Sequence, residues 1–132
     1  MTTTHHGSCH CGRVKFELTS NLERVMECNC SICRRQGAIW AGASNAELRI
    51  VEGEADLTLY QFGTKTAKHY FCRHCGVQPF AHPRIDPSLW VVNLRCVDEL
   101  DLGALEVGMF DGIHWEESAR ALVEAMRKQA AA

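Results

Sequence analysis

The chain has 132 residues, 46% of them hydrophobic and 23% charged, with a formal net charge of −2. A chain of this length can bury a real hydrophobic core. A near-neutral balance with no strongly basic stretch argues against nucleic acid as a partner, since its binding rests on phosphate neutralisation. No apolar run approaches the roughly 18 residues that span a bilayer, and MTTTHHGS has neither the charged nor the apolar region of a secretory signal, so a cytoplasmic protein with no membrane partner is expected.

The eight cysteines are the unusual feature, and in a reduced compartment they point to metal or redox chemistry rather than disulfides. In chain order, the first group is Cys9-His10-Cys11. Residues 13–18 then alternate polar and apolar, the pattern of a half-buried strand. The second group is Cys28-Asn29-Cys30-Ser31-Ile32-Cys33, followed by Arg34 and Arg35. Strands are predicted over 39–43, 48–51, 57–62, 69–71 and 89–94, punctuated by Gly53, Gly63, Gly76 and the 79–87 stretch with its prolines. The third group, Cys72-Arg73-His74-Cys75-Gly76, interrupts that series. Many short strands with turn signals between them predict a mainly β, antiparallel fold, one domain over 1–132.

The end of the chain differs. Residues 116–128 contain good helix formers, and Ala119, Leu122, Val123 and Met126 recur at i, i+3, i+4 and i+7 to make one apolar face. Acids open the segment and bases close it, matching the helix dipole. The reading is a C-terminal helix and tail over 117–132, docked by its apolar face and fraying from Gln129.

Two sulfurs two residues apart can reach one zinc ion at about 2.3 Å, and the glycine after the third group allows the turn that such a pair needs. Two sulfurs are half a tetrahedron, so Cys72 and Cys75 need a second pair, which Cys9 and Cys11 can supply. Cys28, Cys30 and Cys33 offer three sulfurs within six residues. Three protein ligands and an open position are the pattern of a catalytic zinc. Three thiolates leave such a centre electron-rich, poor at activating water and suited to a substrate thiol, which stays nucleophilic when bound. The alternative is a second structural zinc, with His69, His82, His114 or Cys96 as fourth ligand. Two further readings are a zinc-stabilised interaction domain without activity and a thiol redox switch, in which oxidation of CNCSIC ejects the metal.

GSCHCGRVKFEL, CNCSICRRQG and FCRHCGVQPF, with NLRCVDELDL and FDGIHWE further on, resemble the glutathione-dependent formaldehyde-activating enzyme family, whose domain is shared with centromere protein V. The resemblance covers about residues 5–117. It implies a β-tent-like zinc fold holding two zinc ions. Cys9, Cys11, Cys72 and Cys75 would be the structural ligands, and Cys28, Cys30 and Cys33 the catalytic ones. The implied activity is that of a carbon–sulfur lyase joining glutathione and formaldehyde, or another small aldehyde, in S-hydroxymethylglutathione. The chain departs from the family pattern at Gln78, where many relatives have histidine, and at Ile113-His114, where an Arg-Asn pair is common. Glutathione is anionic, so Arg34 and Arg35 are candidate contacts, against the alternative of a solvated surface pair. Trp40 is close enough to the second group to line a pocket. Cys96 sits in an apolar segment and reads as a buried, inert thiol. His10 and His74, each between two candidate ligands, are expected to point away from the metal.

Overall fold

The computed structural model describes residues 2–131, with side chains through Gln129. Ten strands and two helices follow one another: β1 (Thr3–Ser8), β2 (Lys15–Ser20), β3 (Val25–Cys28), α1 (Cys33–Gln36), β4 (Trp40–Ala43), β5 (Leu48–Glu52), β6 (Leu57–Tyr60), β7 (Lys68–Cys72), β8 (Phe80–His82), β9 (Trp90–Asn93), β10 (Gly108–Phe110) and α2 (Trp115–Ala131). A three-stranded sheet has the order β1-β2-β5, and a seven-stranded sheet the order β10-β3-β4-β9-β8-β7-β6. No described helix is long and apolar enough to cross a membrane.

β2 keeps the strict alternation of its sequence, with Phe16, Leu18 and Ser20 buried. Phe16 meets Phe80 of the large sheet edge-on, ring centroids 5.9 Å apart. Around this contact Val14, Leu18, Val25, Ile39, Val92 and Leu94 form the main core. The large sheet is apolar on its other face too. Successive side chains of a strand point to opposite faces. Ala41, Phe80, Val92 and Tyr70 therefore join the core, while their neighbours Trp40, Ala81, Val91 and His69 line a cavity. This is why the central strands read as continuous apolar runs rather than as clean alternation.

The expectation of an antiparallel fold holds for every pairing but one. β10 runs parallel to β3, with Gly108 opposite Met26 and Phe110 opposite Cys28. Parallel neighbours need a long crossover, and here the chain between β9 and β10 supplies it, turning through short 3₁₀ segments at Leu94–Cys96 and Leu102–Ala104. The C-terminal helix begins at Trp115 rather than 117 and continues through Ala131, past the expected fraying point. Ala132, the end of the expected tail, lies outside the described residues.

Candidate metal centres and the cavity beside one of them

The Cys9, Cys11, Cys72 and Cys75 sulfurs all lie within 4.8 Å of one another. Cys11 Sγ is 3.6 Å from both Cys9 Sγ and Cys72 Sγ. A tetrahedral ion with metal–sulfur bonds of about 2.3 Å spaces its ligands by roughly 3.8 Å, so this donor set fits zinc. Two tight turns present the sulfurs. Gly76, at φ +78°, lets its N–H return to Cys72 O at 2.8 Å. The first sulfur of each pair accepts a backbone N–H, Cys9 from Val14 and Cys72 from His74, each at 3.4 Å. Such bonds favour the thiolate that a metal requires. Cys11 is pushed down to about 6, chiefly by a backbone hydrogen bond from Arg13. Burial pushes Cys72 up to about 11.

His74 turns away from the sulfurs and meets Asp56 Oδ1 at 2.8 Å, and His10 is exposed. Cys96 lies near this centre, feeling the charges of Cys9 and Cys75, and burial pushes its thiol up to about 12. A thiol held so far above neutrality is not a nucleophile at pH 7.

The second group is built differently. Cys28 ends β3, and Cys33 opens α1, so a strand-to-helix turn brings the three sulfurs within 4.8 Å of one another. Cys30 N–H reaches Cys28 Sγ at 3.4 Å. With no other charge close by, the three thiols share protons. Cys30 is held far below the usual thiol range by hydrogen bonds from Cys28 and Cys33, and those two are raised in turn. The trio fits a zinc ion with three protein ligands. Among the described residues no fourth histidine, cysteine or carboxylate joins it. His82 bonds Leu89 O and stacks against Trp90, His114 pairs with Asp111, and Cys96 belongs with the other centre.

Instead of a fourth ligand, the trio faces a cavity of about 520 Å³. Met26, Trp40 and Val91 of the sheet form its floor, Trp115 and Leu122 of α2 one wall, and Phe62 and Arg84 come from loops. Arg34 and Arg35 do not line it. Both are exposed, and Arg35 bonds Ser31 O at 2.7 Å. The cation that does line the cavity is Arg84, whose guanidinium lies 3.8 Å over the Trp115 ring.

His69 also lines the cavity. Gln36 Nε2 donates to Gln78 Oε1, so the amide nitrogen of Gln78 is the atom that donates to His69 Nδ1, at 3.1 Å. The ring proton is thereby placed on Nε2, which has no hydrogen-bond partner among the described residues and is not sealed from space. Burial holds His69 below its ordinary value, partly offset by the charge of Cys30. The ring is a neutral N–H donor.

The stretch after β10 closes the site from below. Asn29 donates to Asp111 Oδ1 at 2.9 Å and accepts from Ile113 N–H at 3.1 Å. Gly112 packs so tightly on the loop that a Cβ there would lie 2.7 Å from both Cys28 Sγ and Cys30 Cβ. Arg84, Asn29 and Gly112 were not singled out in the sequence. Asn29 sits between two cysteines and Gly112 in a turn signal, but nothing within one sequence joins residues 83 positions apart.

Fold and sites together define a cysteine-rich β protein with one closed four-sulfur cluster and one open three-sulfur cluster beside an apolar cavity. Residues 4–111 match the family described as glutathione-dependent formaldehyde-activating enzyme, and the chain belongs to that family. It is 33% identical over 98 residues, 67% of this chain, to a Halomonas elongata protein named "Putative glutathione-dependent formaldehyde-activating enzyme". The match spans only 56% of that relative's length. A crystal structure of a Rhodobacter sphaeroides protein superposes with a TM-score of 0.72 at 44% identity, covering 79% of this chain and 98% of that one.

Proposed function

We propose that the protein is a zinc-dependent carbon–sulfur lyase that binds a thiol beside Cys28, Cys30 and Cys33 and joins it to formaldehyde or another small aldehyde. Two zinc ions are assigned, one to Cys9, Cys11, Cys72 and Cys75 and one to the trio. The family's name supplies glutathione as the first thiol to test. The observation that carries the reading is a three-sulfur donor set with no fourth ligand, opening onto an apolar cavity.

Zinc, when bound by the trio, supplies an open position that keeps a thiol ionised at neutral pH while leaving it nucleophilic. The chain's residues do the rest. The mostly apolar lining lowers the local dielectric, which strengthens charge interactions beside the trio. As the C–S bond forms, the carbonyl π pair moves onto oxygen, and His69 Nε2–H is the donor available to that oxygen. The proton lost by the thiol equals the one gained by the hydroxymethyl oxygen, so no oxidant or reductant is needed. The reverse reaction returns the proton and releases aldehyde.

X-ray absorption on the zinc-loaded chain tests this directly. Added thiol should raise the mean number of sulfur neighbours per zinc. Two closed four-ligand centres, unchanged by thiol, would overturn it.

A further inference from the structure

Among the described residues, Arg84 is the only charged side chain that lines the cavity, apart from the sulfurs themselves. Its guanidinium rests on the face of Trp115 at 3.8 Å and forms no ion pair among the described residues. The contact with the ring seats the guanidinium, and no carboxylate of the described residues competes for its N–H groups. Glu116 and Glu117, in the same first turn of α2, are exposed and do not line the cavity. Most of the remaining wall is apolar or aromatic, with Trp40, Phe62, Phe110 and Trp115 the largest contributors.

These walls suit one kind of molecule. A zwitterionic peptide thiol brings an ammonium, two carboxylates and two amides. No acid of the described residues lines the cavity for the ammonium, and Ser31, Thr64 and His69 are the uncharged polar side chains there for the amides, so polar groups seated against the remaining walls go unpaired. We infer that the molecule bound beside Cys28, Cys30 and Cys33 has an apolar body and a single carboxylate, and that Arg84 reads the carboxylate. The inference rests on the proposed function in taking that molecule to be a thiol, and it moves the preferred thiol away from glutathione. Arg84 is exposed as well as lining the cavity, which makes it a specificity residue at the rim.

Calorimetric titration of the zinc-loaded chain separates these statements. The probes are 4-(mercaptomethyl)benzoate, neutral phenylmethanethiol, thiol-free 4-methylbenzoate and glutathione, each on the wild type and on Arg84→Gln. The charged thiol should bind the wild type about tenfold tighter than the neutral one, as a charge-assisted bond supplies. It should also bind more tightly than glutathione. Arg84→Gln should erase the preference for the carboxylate and leave phenylmethanethiol within about twofold. Equal binding of the two aromatic thiols by the wild type, or an equal loss for both in the variant, overturns the inference, as does tighter binding of glutathione. If 4-methylbenzoate binds through Arg84 as well as its thiol analogue does, the sulfur contributes nothing. The Arg84 assignment then stands and the proposed function falls.

Discussion

At the scale of single residues, Gly112 marks where two distant segments touch without room for a side chain. Alanine there would place a Cβ 2.7 Å from Cys28 Sγ and Cys30 Cβ. Overpacking of this kind costs about 1–3 kcal/mol, so Gly112→Ala should lower the unfolding free energy by that amount, read as a lower urea midpoint at unchanged slope, and an unchanged midpoint would show that the contact relaxes freely. His69 is the second such residue. His69→Leu should leave zinc content intact and lower turnover by about 10²-fold, the scale of a positioned proton donor, read by steady-state kinetics beside metal analysis. The pair Asp111 and His114 titrates in a defined window. His114 is raised above 6.5 by its hydrogen bond to Asp111, 2.8 Å away, and Asp111 is lowered below 3.8 by Asn29 first and His114 second. The histidine's contribution is full below 6.5 and is lost as pH rises through its folded value. The aspartate's is present above 3.8 and is lost as pH falls through its folded value. The pair is therefore complete between 3.8 and 6.5. An NMR titration should place the His114 midpoint above 6.5, and Asp111→Asn should bring it back down.

At the scale of elements, β10 is three residues long, and little in Gly108-Met109-Phe110 itself makes a strand. It is held by its parallel pairing with β3 and by Asn29 reaching to Asp111 and Ile113. Asn29→Ala should raise amide hydrogen exchange at Ile113 and in β10 while leaving β7 and β8 protected; uniform change across the sheet would show that the clamp is not local. The same elements show what a sequence discloses. Residues 15–18, 40–43, 48–51, 57–60, 69–71 and 90–93 were legible as strands because burial on one or both faces leaves its mark residue by residue. β1 was not, because an edge strand such as TTHHGS is mostly exposed and reads as polar chain. β3 and β10 were not, because their pairing is decided by partners far along the chain, and β8 lies inside the 79–87 stretch whose prolines read as a turn. Each tight sulfur group was legible, since spacing within a turn is a local property, while the meeting of Cys9 and Cys11 with Cys72 and Cys75 followed only from the number of ligands a closed site needs. The cavity was only partly so. Trp40 follows the second group closely, whereas Arg84, Trp115 and His69 reach it through strand register and helix docking, and Arg34 and Arg35 are turned to solvent by α1 although they adjoin Cys33.

At the scale of the whole molecule, the four-sulfur cluster joins residues 61 apart in sequence, Cys11 to Cys72, and cross-links the small sheet's entry to the end of β7. A metal that binds only the folded chain adds its binding free energy to stability. Cys75→Ser should therefore unfold the protein by circular dichroism. Cys30→Ser should keep the fold, lose one zinc per chain by elemental analysis and abolish thiol-dependent turnover. A folded Cys75→Ser protein with full zinc would remove the four-sulfur site from the account.

The two halves of the second site are drawn from different parts of the chain. All three sulfurs come from residues 28–33, while Phe62, Arg84, Ile85, Trp115 and Leu122 line the cavity from elsewhere in the chain. The residues assigned to the metal and those assigned to substrate choice thus lie in separate stretches of the chain. Drift in the loop after β8 or on the inner face of α2 can retune which molecule enters, with no penalty to the turn that grips the ion. On this scaffold the rest of the lining can change shape while the cysteines stand still.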